Sequence, residues 1–156
     1  LLVGDEIAVL PGPERPRELE NRFDQSFANP PYFNPADIRR PADERKDAYL
    51  ADRPLIDWVR FLHHVTRPGG WITMIHRASE LANLLELLNP RCGAIEVFPV
   101  RPHPEAPAKR ILVRGRKGLR RGDVKLLAGI SLSDRAGGEP STRAAALMSG
   151  EQLNWS

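Results

Sequence analysis

Hydrophobic residues occur along this chain in short runs typical of strands and in longer segments with helical spacing. Leu55, Val59 and Leu62 lie three or four positions apart and would share one face of a helix. The short runs are rich in β-branched and aromatic residues, which favour strands. This pattern predicts helices at 55–66 and 78–88, and strands at 1–3, 23–28, 71–75, 94–100, 110–113 and 124–132.

Residues that start and stop helices support these boundaries. Asp52 can cap the first helix, and Pro54 suits its first turn. The sequence Arg67-Pro68-Gly69-Gly70 then combines a cation, a proline and two glycines, which predicts that the helix ends there. Asn89-Pro90 ends the second helix in the same way.

The order of elements predicts the fold class. Strands and helices alternate in the first half, which indicates an α/β sheet with parallel strands. The last two strands are joined by a glycine-rich turn at 115–122, which predicts an antiparallel hairpin at the edge of the sheet. We expect residues 1–132 to belong to one domain. Residues 133–156 are small and polar, and we expect a partly disordered tail.

Composition excludes several classes of protein. The 156 residues are 41% apolar and 28% charged, which is ordinary globular material. No apolar run approaches about 18 residues, so no transmembrane helix is predicted. The N-terminus does not resemble a secretory signal. Cys92 is the only cysteine, and His63 and His64 have no acidic or thiol neighbour at metal spacing. We therefore expect a cytoplasmic protein without a metal or a disulfide framework.

Charge is distributed unevenly along the chain. Net charge is +3, but residues 1–57 hold 12 acids and 8 bases, whereas residues 101–125 hold 9 bases and 2 acids. A basic segment indicates a polyanionic partner such as nucleic acid. The alternative is a solvated strand edge whose charges prevent aggregation.

The sequence Asn29-Pro30-Pro31-Tyr32, followed by Phe33, carries the candidate chemistry. It directly follows a predicted strand, and ligands of open α/β sheets bind beyond the carboxyl ends of strands. The Asn29 side-chain oxygen and the Pro30 carbonyl can accept the two hydrogens of an amino group, which localises the nitrogen lone pair. Tyr32 and Phe33 can stack on a planar base. The alternative is a proline-rich turn that only ends the strand.

These residues resemble a motif of class I S-adenosylmethionine-dependent methyltransferases that modify amino nitrogens. The wider pattern is similar to one narrower family, the bacterial tRNA adenine-37 N6-methyltransferases acting on valine tRNA. The similar segments are Asn29 to Phe33, Leu55-Ile56-Asp57-Trp58, Arg67 to Gly70, Arg110 to Arg114, and Lys117-Gly118.

The resemblance implies roles for individual residues. Asn29, Pro30, Pro31 and Tyr32 would form the catalytic turn. Asp5, with Asn29, would contact the cofactor S-adenosylmethionine. Candidate contacts to substrate are the stacking residue Phe33 and four basic residues for phosphate, Arg39, Arg40, Arg116 and Lys117; simple solvation is the alternative for these cations.

The family also holds the cofactor on a glycine-rich turn and an acid, and neither precedes Leu1. We therefore expect the chain to correspond to the later two thirds of such a domain. The resemblance implies methylation of the N6 amine of adenine in RNA, with tRNA as partner. Two alternatives stay open: N-methylation of a release-factor glutamine, and a catalytically incomplete fragment that binds RNA or a partner chain.

Overall fold

A computed structural model describes residues 2–3, 6–7, 15–30 and 54–155. Short 3-10 helices occur at Arg17–Leu19 and Ala78–Glu80. The α-helices are α1 (Leu55–Val65), α2 (Leu81–Leu88) and α3 (Thr142–Met148). The strands are β1 (Leu2–Val3), β2 (Glu6–Ile7), β3 (Phe23–Ala28), β4 (Thr66–Arg77), β5 (Cys92–Arg101), β6 (Arg110–Lys117), β7 (Lys125–Leu126) and β8 (Ile130–Ser131).

The main sheet has six strands in the order β3-β4-β6-β5-β7, and β8 also pairs with β5. β3 and β4 are parallel, whereas β6 runs antiparallel to both of its neighbours. β1 and β2 form a separate antiparallel ribbon. The α/β fold class predicted from the sequence is therefore confirmed, with a mixed sheet.

The antiparallel hairpin in the C-terminal half differs from the predicted one. The observed hairpin consists of β5 and β6, with Val97 opposite Val113, and it lies inside the sheet. The segment after β6 crosses the start of β5 at Gly93, where a Cβ atom would lie 2.1 Å from the Arg120 carbonyl oxygen. Because Gly93 lets the chain pass, residues 124–132 reach the far side of β5 and pair with it in parallel.

β7 and β8 form one edge strand with a bulge between them. Lys125 pairs with Glu96, and Ile130 pairs with Val100, so the edge strand holds one more residue than β5 over this interval. The bulge lies opposite Pro99, which has no N–H to donate across the edge. Gly129 occupies the bulge with φ +76°.

α1 runs directly into β4, because Val65 ends the helix and Thr66 begins the strand. The Thr66 hydroxyl donates to the Leu62 carbonyl at 2.7 Å and lies 2.6 Å from the Ser26 hydroxyl of β3. The helix thus ends close to the predicted stop at residues 67–70. Those residues form a bulge within β4, since the pairing with β3 shifts from Phe23–Thr66 to Gln25–Trp71.

α1 and α2 cover one face of the sheet, where the larger core lies. Its buried residues are Ala28, Trp58, Val59, Leu62, Ile72, Met74, Leu84, Leu88, Cys92, Ile95, Val97, Ile111 and Val113. None of the helices in the described ranges is long and apolar enough to cross a membrane.

α3 and the residues after it cover part of the other face. Phe98, Ile130 and Ala144 are buried there, and the Trp155 ring lies 5.6 Å from the Phe98 ring. The Ser141 hydroxyl caps α3 by accepting from the Ala144 N–H at 3.2 Å. The sequence did not predict this helix, and the domain boundary after residue 132 stays a prediction.

Candidate functional site

The candidate site begins where β3 ends. Ala28 is 2% exposed and pairs with Met74 of β4, and Pro30 is also buried. Asn29 between them is exposed. Because its two neighbours are buried, the Asn29 backbone is held at a defined point of the sheet margin.

Strand direction brings other residues to the same margin. β3 and β4 are parallel, so their carboxyl ends lie together, and Arg77 at the end of β4 pairs with Arg110 at the start of β6. Val100 of β5 pairs with Arg110 in turn. We call this margin the Asn29 edge; it comprises Asn29–Pro30, His76–Arg77, Val100–Arg101 and Lys109–Arg110.

His76 is a buried titratable residue of the Asn29 edge. It is 7% exposed, and burial lowers its pKa from the ordinary value of 6.5, against an opposing effect of Glu80. The imidazole is therefore neutral at neutral pH. A neutral, buried ring at a strand end favours a structural role for His76.

Several predicted site residues lie outside the described ranges. They include the second half of the motif and the basic pair after it. Their roles therefore stay predictions: Pro31, Tyr32 and Phe33 for the acceptor base, Arg39 and Arg40 for phosphate, and Asp5 for the cofactor.

Arg116 lies at the other margin of the sheet from Asn29. It pairs with Trp71, which pairs with Gln25, four residues before Asn29. At about 3.3 Å per residue, that is roughly 13 Å along the strand direction. The Arg116 guanidinium donates to the Gly69 carbonyl at 2.8 Å and lies 5.4 Å from the Trp71 ring. The structure thus does not bring Arg116 together with Asn29.

Lys117 is at the same far margin, and its ammonium group binds three protein oxygens. These are the Asn21 side-chain oxygen at 2.7 Å and the carbonyls of His63 and Thr66 at 2.5 and 2.9 Å. The His63 carbonyl lies in the last turn of α1 and Thr66 directly follows the helix, where a cation also complements the helix dipole. Burial lowers the pKa of Lys117. Its predicted role in substrate binding stays a prediction, but its contacts stabilise the fold.

Replacing Lys117 by methionine is expected to lower the free energy of unfolding by about 1–3 kcal/mol, because three oxygens lose a charged donor. Urea denaturation of the two proteins would measure this. Arg120→Met is a matched control, since Arg120 is an exposed cation three residues later. Equal urea midpoints for Lys117→Met and the control would contradict the structural role of Lys117.

The same helix end makes folding sensitive to pH. Burial and the neighbouring Lys117 lower the pKa of His63 below its ordinary value of 6.5. The unfolded chain then binds a proton at a higher pH than the folded chain does. The stabilisation from neutral His63 is complete above pH 6.5 and is lost as the pH falls toward the pKa of the folded state.

We therefore expect stability to fall more steeply below about pH 6.5 in the wild-type protein than in His63→Gln. Urea midpoints at about pH 7.5, 6.5 and 5.5 would measure both slopes. The variant keeps the backbone carbonyl that Lys117 binds, so the comparison isolates the titrating ring. Parallel slopes would show that His63 does not contribute.

Arg114, a further member of the basic segment, is enclosed between two aromatic rings. Its guanidinium lies 4.2 Å from the Trp71 ring and 4.0 Å from the Trp155 ring, and it pairs with Glu96 at 2.7 Å. This charge is therefore balanced within the fold. This arrangement was not predicted from the sequence, because its four residues come from four distant positions.

No group of three or more potential metal ligands is placed to hold an ion among the residues that the structure describes. Cys92 is buried at the start of β5, and burial raises the pKa of its thiol to about 11. A thiol of this kind is unreactive, and Cys92 fills space in the larger core.

The described residues fit the methyl-acceptor side of the implied site better than the cofactor side. Asn29 and Pro30 can hold an amino group at the end of β3. Gly69 and Gly70 belong to the bulge of β4 after a helix, and Gly118 follows β6 at the margin opposite Asn29. Within residues 15–30 and 54–155, therefore, no strand at the Asn29 edge leads into a glycine-rich turn.

Comparison with known proteins places the fold. No protein-family model matches the chain, and no curated protein matches it. Among solved structures, it is similar to the crystal structure of a predicted O-methyltransferase, protein Atu636 from Agrobacterium tumefaciens, with a TM-score of 0.70 and 21% sequence identity. The similarity covers 92% of this chain and 61% of that one, so the chain spans less than two thirds of its length. The chain thus has a methyltransferase-like α/β fold.

Proposed function

We propose that this chain takes part in methyl transfer from S-adenosylmethionine to the N6 amine of an adenine in RNA, with tRNA as the preferred substrate. The observation that carries the proposal is the position of Asn29 and Pro30. They directly follow β3 at the margin where the parallel strand β4 also ends, in a fold similar to that of a predicted O-methyltransferase. Ligands of α/β sheets bind at such margins.

In this proposal, Asn29 and Pro30 hold the amine by hydrogen bonds. The Asn29 side-chain oxygen accepts one hydrogen of the amine and the Pro30 carbonyl accepts the other. An amine held in this way is pyramidal, and its lone pair is no longer delocalised into the ring. The bound cofactor supplies a methyl group on a sulfonium sulfur. The chain contributes position and electrostatics, and the amine proton leaves after the transfer.

The acceptor pair supports a nitrogen rather than an oxygen as the methylated atom, although the similar structure is a predicted O-methyltransferase. A hydroxyl has one hydrogen and needs a base to remove it before it becomes a strong nucleophile. Asn29 and Pro30 are two neutral acceptors, and neither is a base. Two acceptors match the two hydrogens of an amine.

The amide of a glutamine side chain also carries two hydrogens, so a release factor remains the second candidate substrate. The charge of the Asn29 edge favours RNA, because Arg77, Arg101, Lys109 and Arg110 lie there. A protein substrate would not require such a group of cations.

The proposal is tested by incubating the protein with methyl-labelled S-adenosylmethionine, total tRNA and a release factor. We expect the label in RNA, where it is recovered as N6-methyladenosine after digestion. Label recovered only in protein would contradict the RNA substrate. Calorimetry with S-adenosylmethionine tests whether the chain is a catalytically incomplete fragment. A chain that binds RNA but does not bind S-adenosylmethionine would favour a non-catalytic, RNA-binding role.

A further inference from the structure

An exposed loop leads from β6 to β7 and crosses the start of β5. It comprises residues 118–124, which are all exposed. Its backbone is held against β5, because a Cβ atom at Gly93 would lie 2.1 Å from the Arg120 carbonyl oxygen. We call it the arginine loop, since Arg120 and Arg121 lie at its centre. The loop therefore presents two guanidinium groups from a backbone that is fixed on the sheet.

These two guanidinium groups form no hydrogen bond, ion pair or ring contact within the described ranges. The cations at the end of β6 differ in this respect. Arg116 donates to the Gly69 carbonyl, and Lys117 binds three protein oxygens. Arg120 and Arg121 thus keep all their donors for a partner.

Few acids offset the charge of the arginine loop. Asp123 belongs to the loop, and exposed Lys125 begins β7 directly after it. Glu96, which pairs with Lys125 in the sheet, is bound to Arg114 at 2.7 Å. Residues 118–125 therefore hold three cations and one acid, which favours a polyanionic partner.

The arginine loop crosses β5 on the face of the sheet opposite to α1 and α2. Gly93 pairs with Arg116, whose guanidinium lies 5.4 Å from the Trp71 ring. Ile72 is fully buried in the larger core, and side chains alternate along a strand. Trp71, Arg116 and the loop above Gly93 therefore lie on the side of the sheet that faces away from the larger core.

The same face leads to Asn29. Phe27 of β3 pairs with Thr73, which lies two residues after Trp71 and so shares its face. The Phe27 side chain is 39% exposed, and exposed Asn29 follows two residues later. A ligand on this face can therefore reach both the arginine loop and the end of β3.

The arginine loop and Asn29 are roughly 20 Å apart. Gly93 and Gln25 share one row of the sheet and are separated by three strand spacings, about 14 Å, whereas Asn29 lies about 13 Å from that row along β3. A nucleic-acid duplex carries a phosphate on each strand about every 3 Å of its axis, so the separation corresponds to about six base pairs.

We propose that Arg120 and Arg121 bind phosphates in the stem of an RNA hairpin whose loop brings the target base to Asn29. Lys125 adds to the positive charge of this surface. The inference rests on the proposed function, because it assigns a second contact of the same substrate. It implies that the stem contributes to affinity only when it is long enough to reach the arginine loop.

The test is binding of two fluorescein-labelled RNA hairpins, measured by anisotropy over a range of salt concentrations. The hairpins share a loop that contains adenosines and have stems of about 4 and about 12 base pairs, so that only the long stem spans the separation. We expect the wild-type protein to bind the long hairpin roughly tenfold more tightly at low salt. Arg120→Gln with Arg121→Gln should remove this preference and lower the salt slope for the long hairpin by about 2.

Arg17→Gln with Arg60→Gln is the matched control, because it removes the same charge from two other exposed arginines. Arg60 lies on α1, which covers the opposite face of the sheet, and Arg17 is close to Leu19, which is buried with residues of α1. The control should keep the wild-type preference for the long stem. Arg121→Gln alone guards against misfolding of the double variant and should lower the slope by about 1.

Equal salt slopes for the double variant and the control would overturn the inference, and so would wild-type protein that binds the two hairpins equally. Exposed Leu119 and Val124 beside the arginines would also suit an anionic lipid surface. Loss of binding to phosphatidylglycerol vesicles in the double variant, with hairpin binding unchanged, would therefore overturn the inference in favour of lipid. Wild-type protein that prefers the long stem but transfers no methyl group would refute the proposed function and leave the arginine loop as an RNA-binding surface.

Discussion

Asn29→Ala is expected to reduce methyl transfer by at least about a hundredfold, the usual loss when one fixed hydrogen-bonding group is removed from a reacting centre. The alanine removes one of the two acceptors that would hold the amine. Asn29 is exposed and follows the last residue of β3, so the substitution opens no cavity in the core. The free energy of unfolding should change by no more than about 0.5 kcal/mol.

Initial rates of methyl incorporation into RNA would measure the loss, with urea denaturation as the check on folding. Gln25→Ala is the matched control, because Gln25 is an exposed amide within β3, four residues before Asn29. It should retain wild-type activity. Full activity in Asn29→Ala would end the proposed mechanism, whatever the substrate.

Gly129→Ala is expected to give the largest loss of stability, about 2–4 kcal/mol. Gly129 has φ +76°, which an alanine adopts at a cost of about 1 kcal/mol. An added Cβ atom would also lie 2.1 Å from the Pro99 carbonyl oxygen, which is a backbone atom of β5. The edge strand must move away from β5 to relieve this contact, and the residues buried beneath α3 then lose their packing.

Gly118→Ala separates the cost of the positive φ from the cost of the steric contact with Pro99. Gly118 has almost the same φ, +74°, but a Cβ atom there would have no neighbour within 4 Å. It should therefore lose only about 1 kcal/mol. Urea denaturation of the two variants would measure the difference, and equal losses would show that the close approach to Pro99 does not matter.

The elements that the sequence predicted correctly are those set by local patterns. α1 was predicted because its apolar residues repeat at helical spacing and Pro54 precedes it. β3 was predicted with the observed bounds, and the position of Asn29 after it followed directly. The α/β class followed from the alternation of helices and strands in the first half of the chain.

Pairing between distant segments could not be read from the same patterns. The sequence of 124–132 is that of a strand, but it does not show which partner the strand takes. The partner depends on Gly93, which lets the chain cross β5, and on the bulge opposite Pro99. Residues 67–70 were predicted only to end the helix, and their place in a bulge of β4 was not predicted, because a proline and two glycines usually interrupt a strand.

The same limit explains why the positions of the basic residues in the sheet could not be predicted. Charge counted along the sequence joined Arg110 and Lys117 into one segment, although they lie at opposite margins of the sheet. The oxygens that bind Lys117 come from β4, α1 and the turn before β3, and no local signal connects them.

The contact of Arg114 with Trp71 and Trp155 provides an optical signal. Indole emission changes when a ring leaves a packed environment for water, and Trp58 of α1 lies apart, in the core between α1 and the sheet. Release of the C-terminal residues from the sheet would therefore expose Trp155 and uncover one side of the Arg114 contact, while the emission of Trp58 stayed constant. Intrinsic fluorescence can thus follow detachment of the C-terminus separately from global unfolding, without an added label.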